Sequence, residues 1–363
     1  MRAKPGDMRV YVHSRRELDA ALTRSRFEQG LEPEPAAYGF NLAEARGLEM
    51  SYSDDRPHTR LSDYLFWKLG FDFLHALDNL TKIRRADVIW TMLEWEWLSV
   101  SLLQRLRLAP RRPLVANSVW LAERWTEWSW IRRAVYQWLM ADNLHLTVHA
   151  ALAHERLKQL LPRKQFHLMR FGISTRGYPL TPPRVEDWTS RPIRVYSIGN
   201  DGTRDWETML EAFGGDPRFE VAIVCRWIGD EHLKSHANLR IPRIASVADQ
   251  REMYDWADVV VMPMRPNCFS GITVLLEAAA LGRPIVSSRT GGAETYFNDD
   301  EVTYVPPGDA AALKRAVLDA SRPDLLARAV RAQARFVADG YSAQDMVERY
   351  VALTETLTGR RLQ

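Results

Sequence analysis

At 363 residues the chain is too long for one ordinary domain and suits two of roughly 150–180 residues each. Hydrophobic residues at 46% and charged residues at 26% lie near globular averages, which excludes disordered, collagen-like and coiled-coil classes. A net charge of +3 with no recognised motif argues against a nucleic-acid binder.

Two cysteines, Cys225 and Cys268, cannot build a disulfide framework, nor a four-ligand zinc site without several histidines; a reducing compartment is expected. The N-terminal sequence MRAKPGDMRVYV lacks an apolar signal segment, and no run approaches the roughly 18 apolar residues of a membrane span. A cytoplasmic protein is therefore expected, with the inner face of the membrane as the alternative place. Residues 1–180 hold 27 Lys and Arg against 20 Asp and Glu, and the remainder 22 against 26. Nine of the 13 tryptophans fall at positions 67–138. A basic, Trp-rich first half and a mildly acidic second half read as two domains with different partners.

In chain order, residues 8–13 (MRVYVH) predict a buried strand, and residues 24–62, rich in Pro, Glu and Arg, predict a loop-rich stretch. Strands follow at 87–91, 114–117 and 144–149, alternating with helices at 97–106 and 151–161. Such alternation argues for parallel βαβ units. Residues 179–192, PLTPPRVEDWTSRP, are too proline-rich for a helix and predict an extended linker. A cleaner alternation then begins: strands at 193–198, 219–225, 258–262 and 284–287, helices at 206–213, 247–256, 271–281 and 309–321, and a capped final helix at 343–357. Near-continuous Val/Ile runs mark strands buried on both faces.

Ligands of open α/β sheets bind outside the carboxyl ends of the strands. That rule selects His13, Ser14, Glu94, Glu96, Asn117 and His149 in the first half. In the second half it selects Gly199, Asn200, Arg226 and the segment 263–292. Ser270 and Gly271 open a helix whose free N–H groups and dipole favour an anion. Glu277, six residues on, could accept two hydrogen bonds from vicinal hydroxyls; the plain alternative is an ordinary strand-to-helix junction. Arg204 could pair bidentately with a diphosphate, or be a solvated surface arginine.

Several blocks in order, IRVYSIGN with Arg204, MYDWADVVVMP, SGITVLLEAAALGRPIVSSRTGG and VPPGDAAAL, resemble the donor domain of the family 4 retaining glycosyltransferases. The sequence RFGIS at 170–174 resembles the end of that family's first domain. The resemblance implies two Rossmann-like α/β domains facing each other across a cleft (GT-B type). Residues 1–176 would bind the acceptor, 177–192 link, 193–341 bind the nucleotide-sugar donor, and 342–363 form a helix returning to the first domain. It implies transfer of a sugar from a nucleotide-diphospho-sugar, UDP and GDP being undistinguished, to a hydroxyl of a glycan, glycolipid or small metabolite. No cofactor is implied, and no Asp-x-Asp pair suggests a metal.

By the same resemblance Arg204 takes the place of the lysine on the donor diphosphate, and Glu277 that of the ribose-binding second glutamate. Gly271, Ile272 and Thr273 would meet phosphate and sugar through their backbone, with Gly199, Ser270 and Arg226 in the same donor site. Two departures stand out: Asn200 replaces the arginine after the first glycine, and Asn267 or Phe269 falls near the place of the first glutamate. They leave room for a catalytically weak binding or regulatory subunit, while a nucleotide-sugar epimerase would share the architecture.

Acceptor groups are expected on the first domain: His13, Ser14, Glu94, Glu96 and Asn117, with His149 meeting the acceptor hydroxyl. His149 could equally be bonded to neighbouring backbone, and Glu94 and Glu96 could be dipole-favoured residues of a helix start. Residues 119–140, VWLAERWTEWSWIRRAVYQWLM, interleave Trp with Arg at helical spacing. An interfacial membrane helix suited to a lipid-linked acceptor and a core helix with outward arginines both fit that pattern.

Overall fold

The computed structural model describes residues 8–226, 228 and 235–361. The chain forms two compact units: one holds the chain up to Gln29, Glu34–Arg170 and everything from Ala343 onward, the other Gly30–Pro33 and Phe171–Ser342. Residues 177–192, expected as a linker, lie within the second unit. The final helix, Ala343–Thr358, lies in the first.

The first unit is built on strands β1 (Met8–Val12), β2 (Leu48–Tyr52), β3 (Val88–Thr91), β4 (Leu114–Asn117), β5 (Leu144–Val148) and β6 (Phe166–Leu168). All its pairings are parallel, in the order β2-β1-β3-β4-β5-β6. The second unit uses β7 (Ile193–Ile198), β8 (Phe219–Val224), β9 (Leu239–Arg240), β10 (Val259–Met262), β11 (Ile285–Ser288) and β12 (Thr303–Val305). Its parallel order is β12-β11-β10-β7-β8-β9, the doubly wound dinucleotide-type arrangement. Strands β3, β4, β10 and β11 are buried throughout, which is why they read as uninterrupted apolar runs.

Strand order reverses between β1 and β3 in the first sheet and between β7 and β10 in the second. Connections leave such neighbours in opposite directions and open a crevice at their carboxyl ends. Both candidate sites below lie at these points.

Two expectations are corrected, and one helix is added. Residues 24–62 contain the end of the helix Ala20–Glu28, a 3-10 segment Ala37–Arg46, edge strand β2 and the start of the helix Arg60–Leu69. Strand β2 shows little apolar alternation because it lies at the sheet edge with only Leu48 buried. Residues 119–140 are not one helix: Leu121–Arg124 and Trp130–Leu139 are separate, the second restarted by Ser129, whose hydroxyl accepts from the Arg132 N–H. The helix Arg322–Ala338, unread in the sequence, carries an ordinary start signal, an Ser321 cap and proline in its first turn.

The final helix is anchored by aromatics. Tyr350 is fully buried, its ring 5.0 Å from Phe40 and 5.1 Å from Trp90, while Trp90 Nε1 donates to Thr354 Oγ1 at 2.9 Å. Tyr350→Ala should cost about 3–5 kcal/mol, as for other buried aromatics reduced to alanine. Urea unfolding checks this; a loss below about 1 kcal/mol would show that the helix adds little to the first unit.

Candidate active site

In the second unit the loop after β7 and the loop after β10 are tied together at the reversal point. Arg204 and Met264 form an antiparallel bridge, Asp205 N donates to Pro263 O at 3.0 Å, and Arg265 N donates to Thr203 O at 2.8 Å. These ties carry the Arg204 side chain inward. It is 5% exposed, its Nε donates to Asp201 Oδ2 at 3.2 Å, and its Nη1 approaches Met264 Sδ at 3.7 Å. Burial pulls the guanidinium pKa down and Asp201 only partly restores it. Gly199 leaves room beneath it: a Cβ there would lie 2.7 Å from Arg204 Cζ, so the guanidinium would have to shift. Asp201 is itself held by the Thr203 N–H and hydroxyl. Burial alone would raise its carboxyl, but Arg204, Thr203 and Ser270 together bring it below the usual range.

Helix Ile272–Ala280 starts from Gly271, whose φ of 84° is the left-handed value that favours glycine. A Cβ there would meet Met264 Sδ at 2.7 Å. Gly271 has no side chain to cap this helix start, and among the described residues no other side-chain cap is seen. Ile272 is buried and Thr273 exposed. Asn267 shapes the loop: Oδ1 accepts from the Ser270 N–H at 2.7 Å and the Phe269 N–H at 3.1 Å, and Nδ2 donates to Arg265 O at 2.8 Å. Asn200 Oδ1 likewise accepts from the Arg226 N–H at 2.8 Å, leaving the Arg226 residue exposed.

Glu277 is buried on this helix. Its Oε2 accepts from Tyr254 Oη at 2.7 Å and Gln250 Nε2 at 2.9 Å, two residues one turn apart on the helix Val247–Trp256. Burial pushes its carboxyl up to about 7, against the opposing pull of Tyr254, Tyr178, Gln250 and the Arg204 charge. Glu277 lines a cavity of about 370 Å³ with Tyr178, Ala245, Ser246 and residues 31–33. Residues 225–227 and 243–245 are where contacts to the nucleotide base are expected; Ala245 lines this cavity, and Trp227 lies outside the described residues.

In the first unit a second cavity, about 320 Å³, opens where β1 and β3 diverge. His13, Ser14 and Glu96 line it with Trp95, which alternates with the two glutamates and is expected to stack on a sugar; Arg16 and His75, which the sequence did not single out, join them. His13 stacks on His75 with centroids 5.1 Å apart, and its Nδ1 meets Tyr11 Oη at 2.9 Å. Burial, with His75 and Arg16 nearby, drives the His13 pKa well down. Arg16 Nε donates to Asp72 Oδ2 at 2.7 Å. Glu96 Oε2 accepts from the Met92 and Leu93 N–H groups at 2.7 and 3.0 Å, and Oε1 from the Arg15 N–H at 2.8 Å. Burial raises its carboxyl to about 7 despite those bonds.

Glu94 and Asn117 are not among the residues lining this cavity. Glu94 Oε1 accepts from Ser118 Oγ and from the N–H groups of Val119, Trp120 and Leu121 at 2.6–2.8 Å, bracing the start of the next helix. Asn117 spans two strand ends, donating to Met92 O at 3.0 Å and accepting from Thr147 Oγ1 at 3.2 Å. His149 follows β5, with Nδ1 2.7 Å from Met169 O. A carbonyl only accepts, so Nδ1 carries the proton and Nε2 the lone pair. Burial lowers this imidazole to about 4 and keeps it neutral. His75 and Gln250 left no motif, because each acts through a neighbour distant in sequence, Ser14 and Glu277 respectively.

Residues 205–322 match the family model of the glycosyl transferases group 1. The GDP-mannose-dependent alpha-(1-6)-phosphatidylinositol monomannoside mannosyltransferase of Mycolicibacterium smegmatis is 29% identical over 201 residues, 53% of this chain and 50% of that protein. The D-inositol 3-phosphate glycosyltransferase 2 of Catenulispora acidiphila is 35% identical over 112 residues, 28% of this chain and 25% of its own. The matches thus span half or less of these curated relatives. Among solved structures, sucrose-phosphate synthase from Thermosynechococcus elongatus superposes with a TM-score of 0.74 at 16% identity, covering 97% of this chain and 99% of that one. Anabaena HepE in complex with UDP and glucose gives 0.66 at 12% identity, covering 96% and 99%. Two parallel six-stranded α/β units with these neighbours define the class, the GT-B type fold of paired Rossmann-like domains. The match to the glycosyl transferases group 1 model falls within the second unit, and together with the mannosyltransferase relative it supports the resemblance to the family 4 glycosyltransferases.

The raised Glu277 value has a measurable consequence. Its folded pKa of about 7 lies above the ordinary 4.5, so the folded state holds the proton more tightly. Stability from this group is complete below the unfolded value and is lost as pH rises through about 7, an effect on the order of 3 kcal/mol. Glu277→Gln removes the ionisation. Urea unfolding should show the variant gaining about 1–3 kcal/mol on the wild type between pH 5 and pH 8. A difference that stays constant with pH would mean that Glu277 is not a buried, proton-holding carboxyl.

Proposed function

We propose that the protein transfers a sugar from a nucleotide-diphospho-sugar to a hydroxyl acceptor, with retained anomeric configuration and without a bound metal. The observation that carries this reading is the buried Arg204 guanidinium beside Gly199, on the same strand ends as the uncapped helix start at Gly271. As the glycosidic bond breaks, negative charge grows on the diphosphate, and preorganised positive groups stabilise it most in a water-poor site. Ser270 and the backbone of Gly271, Ile272 and Thr273 would hold the phosphate and sugar. The Glu277 cavity would take the nucleoside, its carboxylate accepting from ribose hydroxyls. The mannosyltransferase relative is named GDP-mannose-dependent and the HepE neighbour was solved with UDP; both nucleotides belong to the proposed donor class.

Retention requires the acceptor oxygen to arrive on the face from which the phosphate departs. A departing phosphate oxygen can take the acceptor proton there, so no protein nucleophile is needed. In this reading the neutral His149 imidazole orients a substrate hydroxyl, and the His13, Ser14 and Glu96 cavity receives the acceptor. Asn267 favours a second reading, a catalytically weak binding subunit, because its amide is already spent on its own loop. Intact nucleotide binding with no nucleotide-sugar hydrolysis at high protein concentration would select that reading.

Arg204→Ala should lower turnover by about 10²–10³-fold, as for other lost transition-state charge donors. The wild type should gain about 2.7 kcal/mol of stability from a nucleoside diphosphate at 100 times its dissociation constant, read by thermal shift. An unchanged rate in the variant, or no shift with any nucleoside diphosphate, would refute the assignment of Arg204.

A further inference from the structure

The first unit presents an apolar surface that the proposed chemistry leaves unused. Helix Arg60–Leu69 opens with a Thr59–Ser62 capping box. Leu61, Tyr64 and Trp67 recur along it at three-residue steps and all face solvent, Trp67 at 71% exposure. Ser62 and Phe66 line the cavity that holds His13 and Glu96, so the helix is also a wall of that cavity. Helix Trp130–Leu139 turns Tyr136 and Leu139 inward. Trp130 at 73% exposure, Ile131, Val135 and Trp138 face outward. The two helices adjoin, because the first ends at Gly70, where a Cβ would lie 3.0 Å from the Tyr136 hydroxyl.

Seven large apolar side chains on two neighbouring helices form the kind of patch that soluble surfaces rarely leave bare. Its polar companions indicate what covers it. Lys68 Nζ sits 4.5 Å from the Trp67 ring centroid, and the Arg105 guanidinium 5.6 Å from that of Trp138. Helix Trp130–Leu139 adds Arg132 and Arg133 and contains no acidic residue. Indole rings settle at the headgroup level of a bilayer, aliphatic tips enter the acyl boundary, and cations meet lipid phosphates. Charge complementarity therefore favours an anionic lipid surface over a second copy of this chain, whose own face would bring the same cations against these.

We propose that this two-helix face docks the first unit on an anionic membrane surface. Because the Arg60–Leu69 helix walls the cavity, the acceptor drawn into it is a hydroxyl compound carrying a lipid tail; this last clause rests on the transferase reading, the docking does not. The test is co-sedimentation of the full chain with phosphatidylglycerol/phosphatidylcholine vesicles and with phosphatidylcholine alone. The wild type should bind the anionic vesicles at least 10-fold better, with Trp fluorescence shifting to the blue. Trp67→Ser with Trp130→Ser, and separately Arg132→Glu with Arg133→Glu, should each weaken binding at least 10-fold. Trp67, Trp130 and Arg132 are exposed and Arg133 is half-buried, and an unchanged urea-unfolding profile in both variants would show that the first unit is intact. Equal sedimentation of wild type and variants, or none by the wild type, overturns the docking. A concentration-dependent dimer abolished by the same variants, without vesicle binding, assigns the face to a second copy and also overturns it. Failure of nucleotide binding in the wild type would instead strike the transferase reading and leave the docking standing.

Discussion

A cation held out of water beside a single carboxylate is the constraint around which the second unit is arranged. The Arg204 guanidinium loses most of its hydration, and Asp201 replaces only part of it. Burying such a charge is costly unless the surroundings supply partners. It persists here because Gly199 leaves room for it and because the Arg204–Met264 bridge locks the two loops that flank it. An anion arriving at this point would meet positive charge already in place, with little reorganisation.

Glu277 poses the complementary problem on the same helix-and-strand framework. Tyr254 and Gln250 bond its carboxylate, yet burial still lifts the pKa to about 7. A wholly apolar side chain would be less costly at neutral pH. A carboxylate poised between protonated and ionised, lining a cavity of about 370 Å³, is better suited to exchanging hydrogen bonds with a ligand's hydroxyls. The first unit repeats the pattern at its own point of strand reversal, where Glu96 is likewise raised to about 7 beside the His13–His75 stack. The difference is that Glu96 already ties three backbone N–H groups, so it supports the cavity wall first.

Central strands are buried in both units, but β8 and β10 of the second spell Val/Ile runs while β3 and β4 of the first carry Trp, Thr and Asn, which made the second unit the more legible half. Arg204 and Glu277 stood out because they lie in the loop after β7 and the helix after β10, where the strand-end rule and the family resemblance point to the same segments. Edge strands β2, β9 and β12 gave little signal, being two to five residues long and only partly buried. The roles of Glu94 and Asn117 were illegible for another reason: their partners Val119, Trp120, Met92 and Thr147 become neighbours only when separate strands align. The Trp-rich segment misled because helical spacing continues across Ser129, where the chain breaks and restarts. The placement of Gly30–Pro33 in the second unit had no local signature at all.

The joint grip of Arg204 and Glu277 on one nucleotide is tested most directly by calorimetric titration of a nucleoside diphosphate at pH 6, repeated in buffers of different ionisation enthalpy. If ribose hydroxyls bond the ionised Glu277, binding should release a proton, and that release should shrink by close to one proton in Glu277→Gln while Arg204→Ala weakens binding. Proton release identical in the wild type and Glu277→Gln, or full affinity in Arg204→Ala, would contradict the account.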